Sequence, residues 1–152
     1  MGGLKSPSLL SDIPADVYFA QQKRLPKELQ PWAAHYFSEV ARVQQGIKAW
    51  DAGNWNEFGN LMNESSRSTL QNYESESTNS KVLFELASSF EGVYGASVNG
   101  GGYGGCVVAL VKEDFTQLSS AEILAGYTSK FPELREKAKA YFAESDEGLR
   151  ML

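Results

Sequence analysis

Apolar residues between positions 32 and 52 recur every three or four residues, which predicts an amphipathic helix. The stripe comprises Tyr36, Val40, Val43, Ile47 and Trp50. Gly53 follows as a helix stop, and Asn54 with Glu57 three residues later is typical of the start of a second helix. Trp32, Trp50 and Trp55 are expected to pack the two helices together, with stacking on a sugar as the alternative.

The second helix changes from apolar to polar at residue 63. Its next residues include four side chains that we consider for a binding site: Asn63, Glu64, Ser65 and Ser66. Hydroxyl and carboxamide side chains compete for backbone hydrogen bonds and are poor residues for a helix interior. Two interpretations follow: an exposed helix end that frays into a loop, or a polar face turned toward a substrate or toward the glycine-rich segment described next.

The second half of the chain alternates helices with two short strands. A helix is predicted over residues 79–90 and another from Ser119 or Ser120 to Phe131. Residues 93–98 and 106–111 are rich in β-branched residues, as strands are. The second of them is apolar on both faces, which predicts a covered inner strand with a buried Cys106. For residues 138–144, helix and strand are both compatible with the pattern, and we favour a final strand.

A glycine-rich segment joins the two strands and contains five glycines in seven residues: Asn99, Gly100, Gly101, Gly102, Tyr103, Gly104 and Gly105. A hairpin needs one or two glycines, and each further glycine costs backbone entropy on folding. Backbone without Cβ atoms can lie against another loop, a ligand or a phosphate. The segment is therefore a candidate functional loop, with a flexible surface hairpin as the alternative.

Two segments resemble motifs of a known enzyme family. Residues 92–111 resemble the third conserved motif of the GHMP sugar kinases in the galactokinase branch, G-V-Y-G-A-R-x-[ST]-G-[GA]-G-F-x-G-C-x-V-A-L-V. Residues 58–66, FGNLMNESS, resemble the galactokinase helix F-G-x-L-M-N-E-S-H. Residues 68–74 resemble the S-[IL]-x-N-Y-E segment of arabinokinases and galacturonokinases. The resemblance covers residues 32–152, and its motifs have the family's order and spacing.

The resemblance implies an α+β fold, in which helices pack on a small antiparallel sheet in a ferredoxin-like arrangement. Residues 32–152 would form the C-terminal domain of a sugar kinase, after an irregular or partly helical lead-in at residues 1–31. The complete enzyme would use ATP and Mg²⁺ to phosphorylate a sugar hydroxyl, with the segment from Asn99 to Gly105 beside the reacting groups. The family's nucleotide loop and catalytic residues belong to an N-terminal half not found here, so this chain alone is expected to hold neither cofactor and to be inactive.

Three positions depart from the family motifs. Asn99 stands where a serine or threonine usually precedes the glycines, and Ser97 stands where an arginine is common. Ser66 stands where galactokinases have histidine. These changes replace a hydroxyl by a carboxamide, remove a cation and replace an imidazole by a hydroxyl. They bear on which sugar is used and on activity itself.

Composition excludes several classes of function. The 152 residues carry a net charge of −5 and no basic cluster, which argues against nucleic acid as a partner. No apolar run reaches the roughly 20 residues of a membrane helix, and the first residues are not expected to be a secretory signal. One cysteine and one histidine argue against a zinc site, and the single cysteine fits a reducing, cytoplasmic setting. His35 is expected to be a packed or surface histidine rather than a catalytic base.

The expected partners are the missing N-terminal kinase domain and a small sugar. A surface left without that domain also predicts a homodimer, with a contact that includes the glycine loop or the face of residues 63–73. The competing hypothesis is a stand-alone, non-catalytic domain that binds a small molecule or another protein. A decayed gene fragment is a third. Coding sequence for a nucleotide loop upstream would favour the kinase.

Overall fold

The computed structural model describes residues 9–72, 78–100 and 105–144. Five α-helices and two β-strands lie in these ranges: α1 Ala15–Gln21, α2 Gln30–Asp51, α3 Trp55–Asn72, α4 Thr78–Ser88, β1 Val93–Asn99, β2 Cys106–Val111 and α5 Gln117–Lys130. Short 3-10 helices cover Leu10–Asp12, Gln22–Arg24 and Pro132–Leu134. The helix starts follow local sequence signals: Asn54 Oδ1 accepts the Glu57 N–H at 3.2 Å, and Thr116 accepts the Ser119 N–H at 3.2 Å.

β1 and β2 form an antiparallel pair in which Gly95 lies opposite Leu110 and Asn99 opposite Cys106. Helices α3 and α4 pack against β1, and α2 packs on α3. The predicted class, α+β with helices on a small antiparallel sheet, is confirmed. The two strands place the glycine loop at one end of the sheet, where β1 ends and β2 begins.

The main core lies between one face of this sheet and α4. Phe84 is 2% exposed and Ala96 is fully buried, and Ala87 completes the cluster. Partly buried residues surround it: Leu70, Val98, Val107, Ala109 and Ile123. In both strands the core residues are alternate ones, as the period of a β-strand requires.

The lead-in packs on the first turns of α2. The rings of Tyr18 and Phe37 stack with centroids 4.0 Å apart, and Ala33 is buried beside them. Burial raises the pKa of the Tyr18 hydroxyl above its usual 10.0. α1 and the 3-10 helix that follows it lie within this lead-in, which was predicted to be irregular or partly helical.

Two predictions for the sheet are wrong. Residues 138–144 form no strand: after the 3-10 helix the Ala138 N–H binds the Leu134 carbonyl at 2.8 Å, and the chain then pairs with neither strand. Cys106 is exposed rather than buried. It shares with Val108 the face of β2 that points away from the core, and both side chains are exposed.

The stripe predicted for α2 is exposed along much of its length: Val40, Val43, Ile47 and Trp50 each expose about half of their surface. The buried residues of α2 are smaller or lie near its start, at Ala33, Phe37, Gly46 and Ala49. Trp50 makes edge-to-face contacts with Trp55 and Phe58, each with ring centroids 5.1 Å apart. The expected tryptophan contact therefore forms where α2 ends and α3 begins, and it does not include Trp32, which is exposed.

Candidate functional site

Helix α3 lies along the edge of β1 that faces away from β2, and two glycines allow this approach. A Cβ atom added at Gly59 would lie 2.8 Å from the Gly95 amide nitrogen and closer still to the Tyr94 carbonyl. A Cβ atom added at Gly95 would meet the backbone of Gly59 in the same way. The backbones of the helix and the strand are therefore in direct contact, and even a single methyl group at either position would push them apart.

Polar side chains of α3 bind the outward backbone groups of β1. Asn63 Oδ1 accepts the Ala96 N–H at 2.9 Å, and Ser66 Oγ accepts the Val98 N–H at 3.0 Å. Asn63 and Ser66 are 7% and 2% exposed. Buried backbone N–H groups need hydrogen-bond acceptors. Here two side-chain oxygens are the acceptors, in place of the carbonyl groups of a neighbouring strand.

Glu64 and Ser65 point elsewhere. Glu64 is exposed on the outer side of α3. The Ser65 hydroxyl donates to Glu39 Oε1 at 2.8 Å, and Glu39 pairs with Arg42 at 2.9 Å, which joins α3 to α2. The structure thus brings Asn63 and Ser66 together on β1 and directs the other two members of the predicted polar face away from it. As a site face, the four residues stay a prediction.

The interpretation of residues 63–69 as a fraying end is wrong, since α3 continues to Asn72. Asn72 Nδ2 donates to the Ser68 carbonyl at 2.8 Å, and Ser68 Oγ lies 3.0 Å from His35 Nδ1. Burial lowers the pKa of His35 below its usual 6.5; Glu39 opposes this shift and Arg42 adds to it. His35 is a partly buried histidine within the contact between α2 and α3, as expected.

The glycine loop is described at its two ends. Gly100 follows β1 with φ at 91°, a left-handed conformation that favours glycine. A Cβ atom added at Gly105 would overlap the Asn99 carbonyl, so the base of the hairpin is too narrow for a side chain. Asn99, Gly100 and Gly105 are exposed. Gly101, Gly102, Tyr103 and Gly104 lie outside the described residues.

A groove of about 580 Å³ runs between α2 and α3. Its walls are mainly apolar and include Val43, Ile47, Trp50 and Phe58. Its polar lining includes Glu39, Arg42, Ser65 and Ser97, where the first three are joined by the contacts already given. The groove therefore reaches β1 on the side of Ser97, two residues before the loop begins.

The described residues contain neither a cluster of metal ligands nor a helix that could span a membrane. Across the described ranges, no three or more His, Cys, Asp or Glu side chains group closely enough to hold a metal ion. None of the helices described has the length and apolar character needed to cross a bilayer.

Sequence reasoning missed Gly59 and Gly95 as contact residues. Both carry a detectable signal, because a glycine inside a helix or strand is costly and often marks a close backbone approach. The pairing of the two could not be found from the sequence, since it depends on how α3 lies relative to β1.

Comparison with known proteins identifies a matching family and several relatives of this chain. The family model "GHMP kinases C terminal" matches residues 45–125. A galacturonokinase from Arabidopsis thaliana is 36% identical over 124 residues, which cover 82% of this chain and 29% of that protein. A galactokinase from Roseiflexus sp. (strain RS-1) is 36% identical over 118 residues, which cover 78% and 30%.

A solved structure agrees with these matches. The crystal structure of Lactococcus lactis galactokinase complexed with galactose superposes with a TM-score of 0.76 at 29% identity, covering 84% of this chain and 33% of the kinase. The chain spans about a third of the length of the relatives it matches. The suggested resemblance is confirmed: the chain belongs to the GHMP kinases and contains a galactokinase-like C-terminal domain of that family.

Proposed function

We propose that the chain is the C-terminal part of a galactokinase-like sugar kinase. In the complete enzyme the γ-phosphate of ATP would pass to a hydroxyl of a small sugar. The similarity to a galactokinase solved with galactose, over 84% of this chain, carries the proposal. Residues 32–152 are the proposed domain and residues 1–31 its lead-in, and the cytoplasm is the proposed compartment.

The glycine loop is the part of this chain that we assign to the active centre. Gly100 and Gly105, at its described ends, lack Cβ atoms and are exposed, so their backbone can lie close to a ligand. Backbone N–H groups in such a loop bind phosphate oxygens without a cationic side chain. The described residues offer no carboxylate cluster for Mg²⁺. We therefore assign most contacts to ATP and Mg²⁺ to the rest of the kinase, and a backbone contact to the loop.

The partner that the proposal requires is the N-terminal part of the kinase. The exposed side chains of Val40, Val43, Ile47 and Trp50 show that this chain has apolar surface available for a partner. A homodimer is the proposed state when that partner is absent. Light scattering of the purified chain would measure its mass.

A chimeric enzyme tests the proposed function. The matching region of Roseiflexus galactokinase is replaced by this chain, and sugar-dependent ADP formation is measured with galactose and with galacturonate in a coupled assay. We expect activity from the chimera with one of these sugars and background from the chain alone, since phosphate, metal and base must be held together.

Unreplaced Roseiflexus galactokinase is the positive control, and circular dichroism establishes that the chimera is folded. A folded chimera that binds ATP but phosphorylates neither sugar would contradict the proposal and favour a stand-alone binding domain. ADP formation by the pure chain alone would show that it needs no partner.

A further inference from the structure

Three residues of α3 form a single stripe on the edge of β1, which we call the edge stripe: Gly59, Asn63 and Ser66. They are spaced by four and then three residues and therefore share one face of the helix. Gly59 contacts the start of β1 at Tyr94 and Gly95, Asn63 binds Ala96, and Ser66 binds Val98. The order of contacts shows that the helix runs in the same direction as the strand.

The helix and the strand advance at the same rate along this contact. Seven helical residues from Gly59 to Ser66 span about 10.5 Å at 1.5 Å per residue. Three strand residues from Gly95 to Val98 span about 10 Å at 3.3 Å per residue. Since the spacings match, the outward amides of Ala96 and Val98 each receive one polar side chain of α3. The next residue of the stripe, Leu70, is apolar and packs in the core.

The last polar contact falls directly before the glycine loop. Val98 N–H, which Ser66 Oγ accepts, is the last outward amide of β1 with a partner in the described residues, and Asn99 and Gly100 follow. Ser66 Oγ also lies 3.4 Å from Ser97 Oγ and 3.5 Å from the Ala96 carbonyl. Ser66 is thus the side chain that fixes the strand at the point where the loop leaves it.

We propose that Ser66, supported by Asn63, is a positioning residue for the glycine loop. It touches no reacting group; it acts through the backbone of β1, whose end sets where Asn99 and Gly100 begin. This inference rests on the proposed function for the importance of the loop, but the ordering itself is a property of the chain. Ser66 is also a departure from the galactokinase motif, so the hydroxyl contact is a feature of this sequence.

The test measures order at the loop ends by ¹⁵N relaxation of the purified chain. In the wild type, the amides of Asn99, Gly100 and Gly105 are followed together with those of α4 as a rigid reference. Ser66→Ala removes the acceptor of the Val98 N–H. We expect the order parameters of Asn99 and Gly100 to fall from about 0.85 toward 0.6 or below, with α4 unchanged.

Ser65→Ala is the matched control. It removes the same hydroxyl from the neighbouring residue of the same helix, but that hydroxyl binds Glu39 of α2 rather than β1. We expect it to leave the loop ends unchanged. Ser66→Thr retains a hydroxyl and should restore much of the order that Ser66→Ala removes.

Equal effects of Ser66→Ala and Ser65→Ala, or unchanged order at Asn99 and Gly100 in folded Ser66→Ala, would overturn the proposal. If Ser66→Ala does not fold, Ser66→Cys is measured instead, because a thiol fills the space and is a weak acceptor. These outcomes do not depend on catalysis. Lower order at Asn99 and Gly100 in Ser66→Ala would support the positioning role even if the folded chimera that carries the unchanged chain is inactive. That inactivity would contradict the proposed function alone.

Discussion

The two edges of the sheet differ in whether their outward backbone amides have hydrogen-bond partners. At the covered edge, formed by β1, the outward amides of Ala96 and Val98 bind Asn63 and Ser66. At the open edge, formed by β2, the residues opposite Ala96 and Val98 are Ala109 and Val107. These are non-hydrogen-bonded pairs of the antiparallel ladder, so the amides of Ala109 and Val107 point away from β1. In the described ranges those two amides have no hydrogen-bond partner.

This difference shows that polar residues in a helix can serve a strand. Exposed strand edges pair readily with other chains, and proteins cover them or place charges on them. The β1 edge is covered by side chains instead of a further strand. In the part of the chain that the structure describes, no further strand pairs with β2, and its sequence CVVALV carries no charge or proline. The covered edge leads into the glycine loop with its backbone amides bound by α3, whereas the open edge has no partner strand among the described residues.

The largest expected effect follows from Gly59→Ala, which breaks the covered edge. The added methyl would overlap the backbone of Tyr94 and Gly95, and backbone cannot move aside as a flexible side chain can. We expect a loss of about 3 kcal/mol in the free energy of unfolding, although alanine is the better helix former by about 1 kcal/mol. Urea denaturation followed by circular dichroism measures it.

Gly46→Ala is the matched control in α2, because the added methyl would meet Phe58 at an ordinary 3.5 Å. This variant should be as stable as the wild type or more stable by up to about 1 kcal/mol. If both variants are equally stable, α3 does not contact β1 as described.

The second prediction concerns Asn63→Ala, which leaves the buried Ala96 N–H without its acceptor. We expect a loss of about 1–3 kcal/mol in the free energy of unfolding, the cost of an unsatisfied buried donor. Asn60→Ala, on the exposed side of the same helix, should change stability by less than about 0.5 kcal/mol. A cost at residue 63 no larger than at residue 60 would argue against the contact.

A third prediction compares the two faces of β2. Val107 packs on the core cluster, whereas Val108 exposes 49% of its surface on the other face. Val107→Thr buries a hydroxyl and should cost about 1–2 kcal/mol, whereas Val108→Thr should cost less than about 0.5 kcal/mol. Thermal unfolding of the two variants checks the difference. Equal costs would mean that both faces of β2 are covered in solution.

The smallest effect is the pH dependence contributed by His35. Its pKa is lowered in the folded state, so the unfolded chain binds a proton more readily. The contribution to stability is therefore complete above the usual pKa of 6.5 and is lost as pH falls through the folded-state value. Urea midpoints between pH 5 and 7.5 should show a shallow fall in the wild type that His35→Gln reduces. Identical pH profiles would refute the assignment.

Most of the fold could be predicted from local patterns. The cap at Asn54, the β-branched runs beside the glycine loop and the stop before Pro132 depend on neighbouring residues, and the helices and strands that they predict are present. The prediction for residues 138–144 was wrong, because a strand requires a partner and the local sequence does not identify one. Cys106 was predicted to be buried from its apolar strand, but burial depends on what covers the second face.

The candidate site was predicted less completely for the same reason. The glycine loop and the polar run at residues 63–66 were both selected as candidates because their composition is unusual for their elements, and as site residues they stay predictions. The sequence could not show that Asn63 and Ser66 point at β1 while Ser65 points at Glu39. A one-residue step along a helix turns a side chain by about 100°, so this division becomes visible when the neighbours of each face are known.

Amide hydrogen exchange of the wild-type chain tests the central claim, that side chains of α3 bind the edge of β1. Ala96, Val98, Val107 and Ala109 all have amides that point out of the same two-stranded ladder, and they differ in the side chains that α3 supplies. At a concentration where the chain is monomeric, we expect Ala96 and Val98 to exchange at least about 10-fold more slowly than Val107 and Ala109. Equal exchange at the two edges would contradict the account.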